Sequence, residues 1–212
     1  MLRYDRTRRR FAVALAAMAG FVDAVGFLSA NGYFVSFMSG NTTRLGVALG
    51  TQPHLAVVPA LLIGGFLCGV TGGALCALRG GRYRKPAVLA LVTLLLGMGA
   101  AFRASGHEFW MLAALVMAMG AINNTFQRGG EVTVGLTYMT GALVRLGQGL
   151  ALRLTGRGDN GWQGWAMLWA GLLCGAVAGS FLQDRLPMGC LWIAAAWSSA
   201  MLAFSFRIPA ES

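Results

Sequence analysis

The chain has 212 residues, of which 57% are hydrophobic and only 11% charged, and its formal net charge is +10. An average soluble domain carries roughly 25% charged residues, and so apolar a short chain would leave a soluble protein no polar surface. Lipid is therefore the expected solvent. Nucleic-acid binding is excluded as the reason for the charge, because the arginines stand where apolar runs end and no base-stacking surface accompanies them.

In chain order, Arg3, Arg6, Arg8, Arg9 and Arg10 precede the first apolar segment, residues 11–30, which holds one acid, Asp23. This start has the composition of a signal peptide. Residues 109–128 form a counterpart that cannot be a signal, so the first segment is expected to be retained. A polar, glycine-bearing phrase follows at 34–50. Next comes an apolar run at 55–78, with Gly65, Gly69 and Gly73 on one helical face. Arg79, Arg82, Arg84 and Lys85 close it. Pro86 opens the run at 86–103, where a missing N–H costs nothing.

The fourth apolar segment, 109–127, ends with Asn123 and Asn124. A second polar phrase occupies 135–153. Two further runs complete the chain: 162–182, with Gly171, Gly175 and Gly179, and 187–206, opened by Pro187. Trp162, Trp165, Trp169, Trp192 and Trp197 are placed in part as interfacial anchors. Each of the six runs is near the ~20 residues that cross a bilayer as a helix.

The two polar phrases are one phrase written twice. Phe37-Met38-Ser39-Gly40 and Arg44-Leu45-Gly46 recur as Tyr138-Met139-Thr140-Gly141 and Arg145-Leu146-Gly147, with Ser36 on Thr137, all at an offset of 101. Gly20 and Asp23 fall on Gly120 and Asn123 at an offset of 100, and Gly65, Cys68 and Gly69 on Gly171, Cys174 and Gly175 at 106. The chain thus reads as a single membrane domain, 1–212, built from repeat 1 at about 11–103 and repeat 2 at about 109–206.

Charge then orients the spans. If 34–50 and 135–153 are re-entrant half-helices, thirteen loop and terminal Lys/Arg lie on the side of the N-terminus and only Arg103 and Arg185 on the other. If 34–50 crosses, the cluster at 79–85 is stranded outside. The positive-inside rule favours the first arrangement. The expected fold is an all-α integral membrane protein of six transmembrane helices plus two re-entrant half-helices, with both termini cytoplasmic. Three spans per repeat turn the second half upside down, an inverted 3+3 repeat of the kind found in transporters. Irregular backbone at membrane depth is tolerated where it is buried or lines a wet cavity, so the phrases are expected to meet near the midplane.

Within them, Ser39-Gly40-Asn41-Thr42-Thr43 reads as a loop turning into a helix, with uncapped N–H groups suited to an anion or carbonyl oxygen. Thr140-Gly141 keeps the bend but loses most of the polarity. Arg44 and Arg145 are charges within apolar helices and call for partners. Asp23 with one and Glu131 with the other would make two ion pairs that pin the half-helices; substrate or proton handling and snorkelling are the other readings. Asn123 and Asn124 can bind a solute or bridge helices. The glycine ridges read as helix packing, crossing each other or forming a dimer surface, so a homodimer is a possible assembly. Cys68 and Cys174 read as small packing residues. No cysteine stands in C-x-x-C spacing, and neither His54 nor His107 has a second ligand near it, so no metal or cofactor is expected.

Gly20-Phe21-Val22-Asp23-Ala24, then Phe34, Phe37-Met38-Ser39-Gly40-Asn41-Thr42-Thr43 and Leu45-Gly46, resemble the YoaK-type family, domain of unknown function 1275, over about residues 11–206. The resemblance implies a bacterial inner-membrane location and carries over no catalytic residue. The leading functional expectation is a transporter or facilitator of a small polar solute, anionic in one form. Its site would draw on Asp23, Ser39, Gly40, Asn41, Thr42, Thr43, Arg44, Asn123, Asn124, Thr140, Gly141 and Arg145. A non-transporting assembly or sensor partner is the alternative. A membrane-embedded enzyme ranks below both, because no nucleophile–base pair or ligand set stands within the spans.

Overall fold

The structure, a computed structural model, describes residues 5–128, 131–132, 134–157 and 161–208, with nothing said of the side chains of 128, 131 and 132. Among the described residues the chain forms eight α-helices: α1 Arg6–Ser29, α2 Met38–Thr51, α3 Val57–Gly80, α4 Arg84–Ala104, α5 Glu108–Ile122, α6 Met139–Leu154, α7 Trp162–Arg185 and α8 Cys190–Ser205. All six expected apolar runs are helical, and the two polar phrases supply α2 and α6. A two-residue ladder, Gln127–Arg128 with Glu131–Val132, was not foreseen.

Three helical stretches are long and apolar enough to cross a membrane: Arg6–Ser29, Pro53–Ala104 and Trp162–Arg185. The second contains α3 and α4, which pack on each other across a turn at Gly81 with φ of 49°, so it folds back as two helices of 24 and 21 residues. α5 and α8 are shorter, at 15 and 16 residues. Asp5 starts α1, its Oδ1 accepting the Arg8 N–H at 2.7 Å, a side-chain cap on the first turn.

The core lies on α1 and α5, which hold the densest sets of buried residues, including Leu15, Met18, Phe21 and Val22 on α1 and Leu115, Met119 and Ile122 on α5. Each is clasped by a helix from the other half. α7 lies along α1, and α3 lies along α5. The glycine ridges make these contacts. A methyl at Gly171, Gly175 or Gly179 would run into Val13, Ala17 or Phe21 of α1, and one at Gly69 or Gly73 into Met117 or Ala121 of α5. Gly20 and Gly120 return the favour against Leu172 and Phe66. The two ridges therefore neither cross each other nor face outward, as the sequence reading had them. Each is consumed against the first helix of the opposite repeat. Cys68 and Cys174 are exposed, not packing residues; the adjacent glycines make the close approach.

α4 completes the bundle against α5 and α8, and α8 also touches α1. The Thr93 and Ser198 hydroxyls lie 2.7 Å apart across α4 and α8, half-buried Thr93 supplying the polar partner that burial demands of Ser198. Outward faces carry Leu67, Leu78, Leu94, Val177 and Phe181, each more than half exposed. An apolar exterior on this scale suits lipid as the surrounding solvent.

Candidate functional site: the cavity between α2 and α6

α2 and α6 are held at their N-termini and thinly packed beyond them. α2 buries Asn41 and Ala48, and α6 buries Ala142 and Gly149, matching positions at an offset of 101. Neither helix has a side-chain cap: Phe37 and Tyr138 occupy the N-cap positions and their side chains accept nothing from the first-turn N–H groups. The same backbone turn precedes both, with Met38 N–H on Ser36 O and Met139 N–H on Thr137 O, each at 3.1 Å. The N–H groups of Ser39 and Gly40, and of Thr140 and Gly141, are left at the open ends, where the helix dipole is positive.

Both open ends border one cavity of about 380 Å³, lined by Ser36 to Ser39 from one half, Thr137 to Gly141 from the other, and Phe66 of α3. Its walls are mostly apolar, and its polar groups are hydroxyls and main-chain amides.

What fixes the two approaches is a pair of equivalent side chains. The Asp23 carboxylate accepts the Val35 and Ser36 N–H groups through Oδ1, at 3.1 and 2.9 Å. At the corresponding place in the second half, Asn123 Oδ1 accepts the Thr137 N–H at 3.3 Å and the Thr137 hydroxyl at 3.1 Å, while its Nδ2 donates to Met119 O at 2.9 Å. Val35 packs against Gly26, where a β-carbon would collide with its side chain. The first loop has a further clamp: Asn41 Nδ2 donates to Phe34 O at 2.7 Å, and Asn41 Oδ1 accepts the Phe34 N–H at 3.2 Å. Ala142 stands at the matching position and can make neither bond.

The sequence-derived site residues thus separate by role. Ser39, Thr140 and Gly141 line the cavity. Gly40 packs under the rings of Phe34 and Phe37. Asp23, Asn41 and Asn123 hold the loops. Asn124 bridges helices, donating from Nδ2 to Val70 O of α3 at 3.0 Å and accepting from Gln127 Nε2. Thr42 and Thr43 are exposed, their hydroxyls donating back to Met38 O and Ser39 O at 2.8 and 3.1 Å.

The structure shows main-chain partners, not an arginine, for Asp23. Asp23 accepts from main-chain N–H groups, and the Arg44 guanidinium lies 4.7 Å from the Tyr33 ring centroid. Arg145 sits likewise 4.5 Å from the ring centroid of Trp165, a residue that is core and not an interfacial anchor. Both guanidiniums are seated over a ring face, a cation–π contact. The Glu131 side chain, the other expected partner, lies outside the described residues. Missing from the sequence reading of the site were Ser36, Thr137, Phe37, Tyr138 and Phe66. The offset of 101 already aligned the first two as a hydroxyl pair, a signal too small to separate from loop chemistry.

The match to known proteins is as extensive as the helical pattern. The family model described as protein of unknown function (DUF1275) matches residues 11–204. The chain belongs to the DUF1275 family. It is 38% identical over 210 residues to the UPF0700 transmembrane protein RA0705 of Rhizobium meliloti (strain 1021), covering 95% of this chain and 90% of that one. The UPF0700 transmembrane protein YoaK of Bacillus subtilis (strain 168) is 28% identical over 148 residues, 66% of each chain. No solved structure matches significantly. With relatives that are transmembrane proteins and apolar helices of its own, this chain is a membrane protein.

Proposed function

We propose that the chain has six membrane spans, α1, α3, α4, α5, α7 and α8, and that α2 and α6 are re-entrant half-helices of an inverted 3+3 repeat in a bacterial inner membrane. The position of Asp23 supports this. It stands six residues before the end of α1, ~9 Å back along the axis, yet it holds Val35 and Ser36, so the chain descends beside α1 after leaving it. The exchange of partners, α7 on α1 and α3 on α5, is the pattern two halves related by a two-fold axis produce. Single cysteines on a background with the four native ones replaced provide the check. A membrane-impermeant thiol reagent on intact cells is expected to label position 52 and spare position 81. Labelling at 81 from outside would mean either that 34–50 crosses fully or that both termini lie outside.

Within that frame the protein is a transporter or facilitator of a small polar solute, with an anion the favoured charge. One observation carries the reading: two uncapped helix N-termini, one from each half, border a single cavity. Fixed N–H groups and two positive dipole ends in an apolar setting stabilise an anion without any side-chain charge. The halogen-free end of the test panel is nitrate, formate and acetate, with fluoride and a neutral polyol beside them, measured as uptake into vesicles holding purified protein. Saturable uptake of at least one anion is expected. Thr140→Asp, which sets a carboxylate between the two poles, should lower it about tenfold, the equivalent of ~1.4 kcal/mol, with the protein still folded. Uptake of none of the panel, or uptake indifferent to Thr140→Asp, would remove the basis for the reading.

A further inference from the structure

The two loop pins are chemically unequal: Asp23 accepts two main-chain N–H groups, Asn123 one and a hydroxyl. Asn123 holds the approach to α6 with an amide oxygen, taking the Thr137 N–H. Asp23 does the same work for α2, taking the Ser36 N–H. An amide therefore suffices for the pin, and the same fold demonstrates it. A carboxylate deep in an apolar helix is costly and marks a function when nothing structural demands it. What it adds over an amide is the ability to gain and lose a proton.

Its surroundings fit that use. On one side Asp23 borders an open cleft of about 270 Å³ between α1 and α7, lined also by Gly20, Ala24, Phe27, Phe34, Leu172 and Ser180. On the other it grips Ser36, a wall residue of the cavity between α2 and α6. Among the described residues, the α7 face offers Leu172, Ala176 and Ser180, with exposed Asp184 and Arg185 one turn further on, and α8 contributes no charged residue. Glu108 lies at the far end of α5 from the Asn123 pin. Other charges at this end of the bundle are Arg44 of α2, over Tyr33, and Arg103 of α4, whose Nη1 donates to the Ser29 hydroxyl at 2.9 Å at the end of α1.

We propose that Asp23 is the proton-coupling group of this protein: it exchanges a proton with water in the α1–α7 cleft, and its charge state sets the position of the loop that walls the α2–α6 cavity. The ionised carboxylate makes two charge-assisted bonds to Val35 and Ser36, stronger than neutral ones. A proton arriving from the cleft on a carboxyl oxygen weakens both bonds, and the loop and the N-terminus of α2 loosen together. Departure of the same proton restores the grip. No other bond is made or broken. The inference rests on the transport reading of the same cavity for its purpose, but its test does not need the solute.

A single cysteine at Thr140, on the wall opposite the loop, reports the cavity. Its alkylation rate by N-ethylmaleimide, with the four native cysteines replaced, is divided at each pH by the thiolate fraction of that cysteine, read from its ultraviolet absorbance, which removes the ionisation of the thiol. Between about pH 5 and about pH 9 this ratio should change about tenfold in the Asp23 protein, the factor that a difference of one pKa unit between the two loop states gives. In Asp23→Asn, where the pin stays and the proton site goes, it should be flat. Asp23→Glu should restore the dependence. A ratio flat in the Asp23 protein, or one equally steep in Asp23→Asn, overturns the inference. If Asp23→Asn does not accumulate, the pin needs its charge and the comparison with Asn123 is void, which overturns it as well. Cavity opening that follows the proton while the anion panel shows no uptake would refute the transport reading and leave this one standing.

Discussion

Gly175→Leu is expected to leave almost no folded protein in the membrane, whereas Gly64→Leu is expected to be tolerated. A β-carbon at 175 would be driven into the carbonyl of Ala17, main chain that cannot rotate away, while one at 64 meets nothing within 4 Å. The only relief is to push α7 off α1. That movement would also lift Leu172 from Gly20 and Phe21 from Gly179, because the same ridge serves along the whole crossing. In a membrane the loss is not repaid by burying the exposed surfaces again, since lipid is as apolar as the side chains, and helix association rests on close packing. Overpacking commonly costs about 1–3 kcal/mol, and a side chain as large as leucine against main chain belongs at or above that range. Gly69→Leu should match it, since Gly69 meets Met117 of α5 in the same way. The measurement is the monodisperse fraction after mild detergent extraction. Equal recovery of Gly175→Leu and Gly64→Leu would mean that the α1–α7 crossing is not what holds the halves together.

The glycine ridges also show where sequence reasoning stops. Spacing of four residues at 65, 69 and 73, and again at 171, 175 and 179, identifies a helix face that admits a close neighbour. It does not name the neighbour. The duplication narrows the choice only to symmetric options, of which ridge on ridge is the simplest and is not the one adopted. The repeat was similarly strong in pairing Asp23 with Asn123 and Ser36 with Thr137, because an offset survives drift even when the residue types do not. What each side chain bonds was beyond its reach. Charge pairing is the first expectation for an arginine in an apolar helix, and the ring faces of Tyr33 and Trp165, whose placement depends on tertiary packing, were not legible beside it.

The two halves therefore share a frame and differ in chemistry. Both carry the turn before the half-helix, the uncapped first turn and the pin from the first helix of the repeat. Only the first half has an acid in its pin, a second clamp through Asn41, and hydroxyls at both positions following it. A symmetric frame gives a cavity with two like poles; an asymmetric lining lets one wall respond while the other stays fixed. That division is what a gated pathway needs, since a cavity whose walls both yield has no reference surface against which to open.

Asn41→Ala should destabilise the first half by about 2–4 kcal/mol and loosen the entry to α2 without disturbing α6. The amide of Asn41 is fully buried and satisfies both main-chain groups of Phe34 at once, at 2.7 and 3.2 Å. Its removal strands a donor and an acceptor that water does not reach, each costing about 1–3 kcal/mol. Asn41→Asp separates the two contributions. It keeps an acceptor for the Phe34 N–H but sets an oxygen against the Phe34 carbonyl, so it should be no better than alanine. Thr42→Val, one residue on, gives up only an exposed hydroxyl bonded back to Met38 O, and should stay within about 0.5 kcal/mol of the parent. Thermal stability in detergent orders the three. Alanine at 142 already occupies the matching place in the second half, so the fold does not require a clamp there. If Asn41→Ala proves as mild as Thr42→Val, the first loop is held by Asp23 alone, and the proton site would then govern the whole wall unaided.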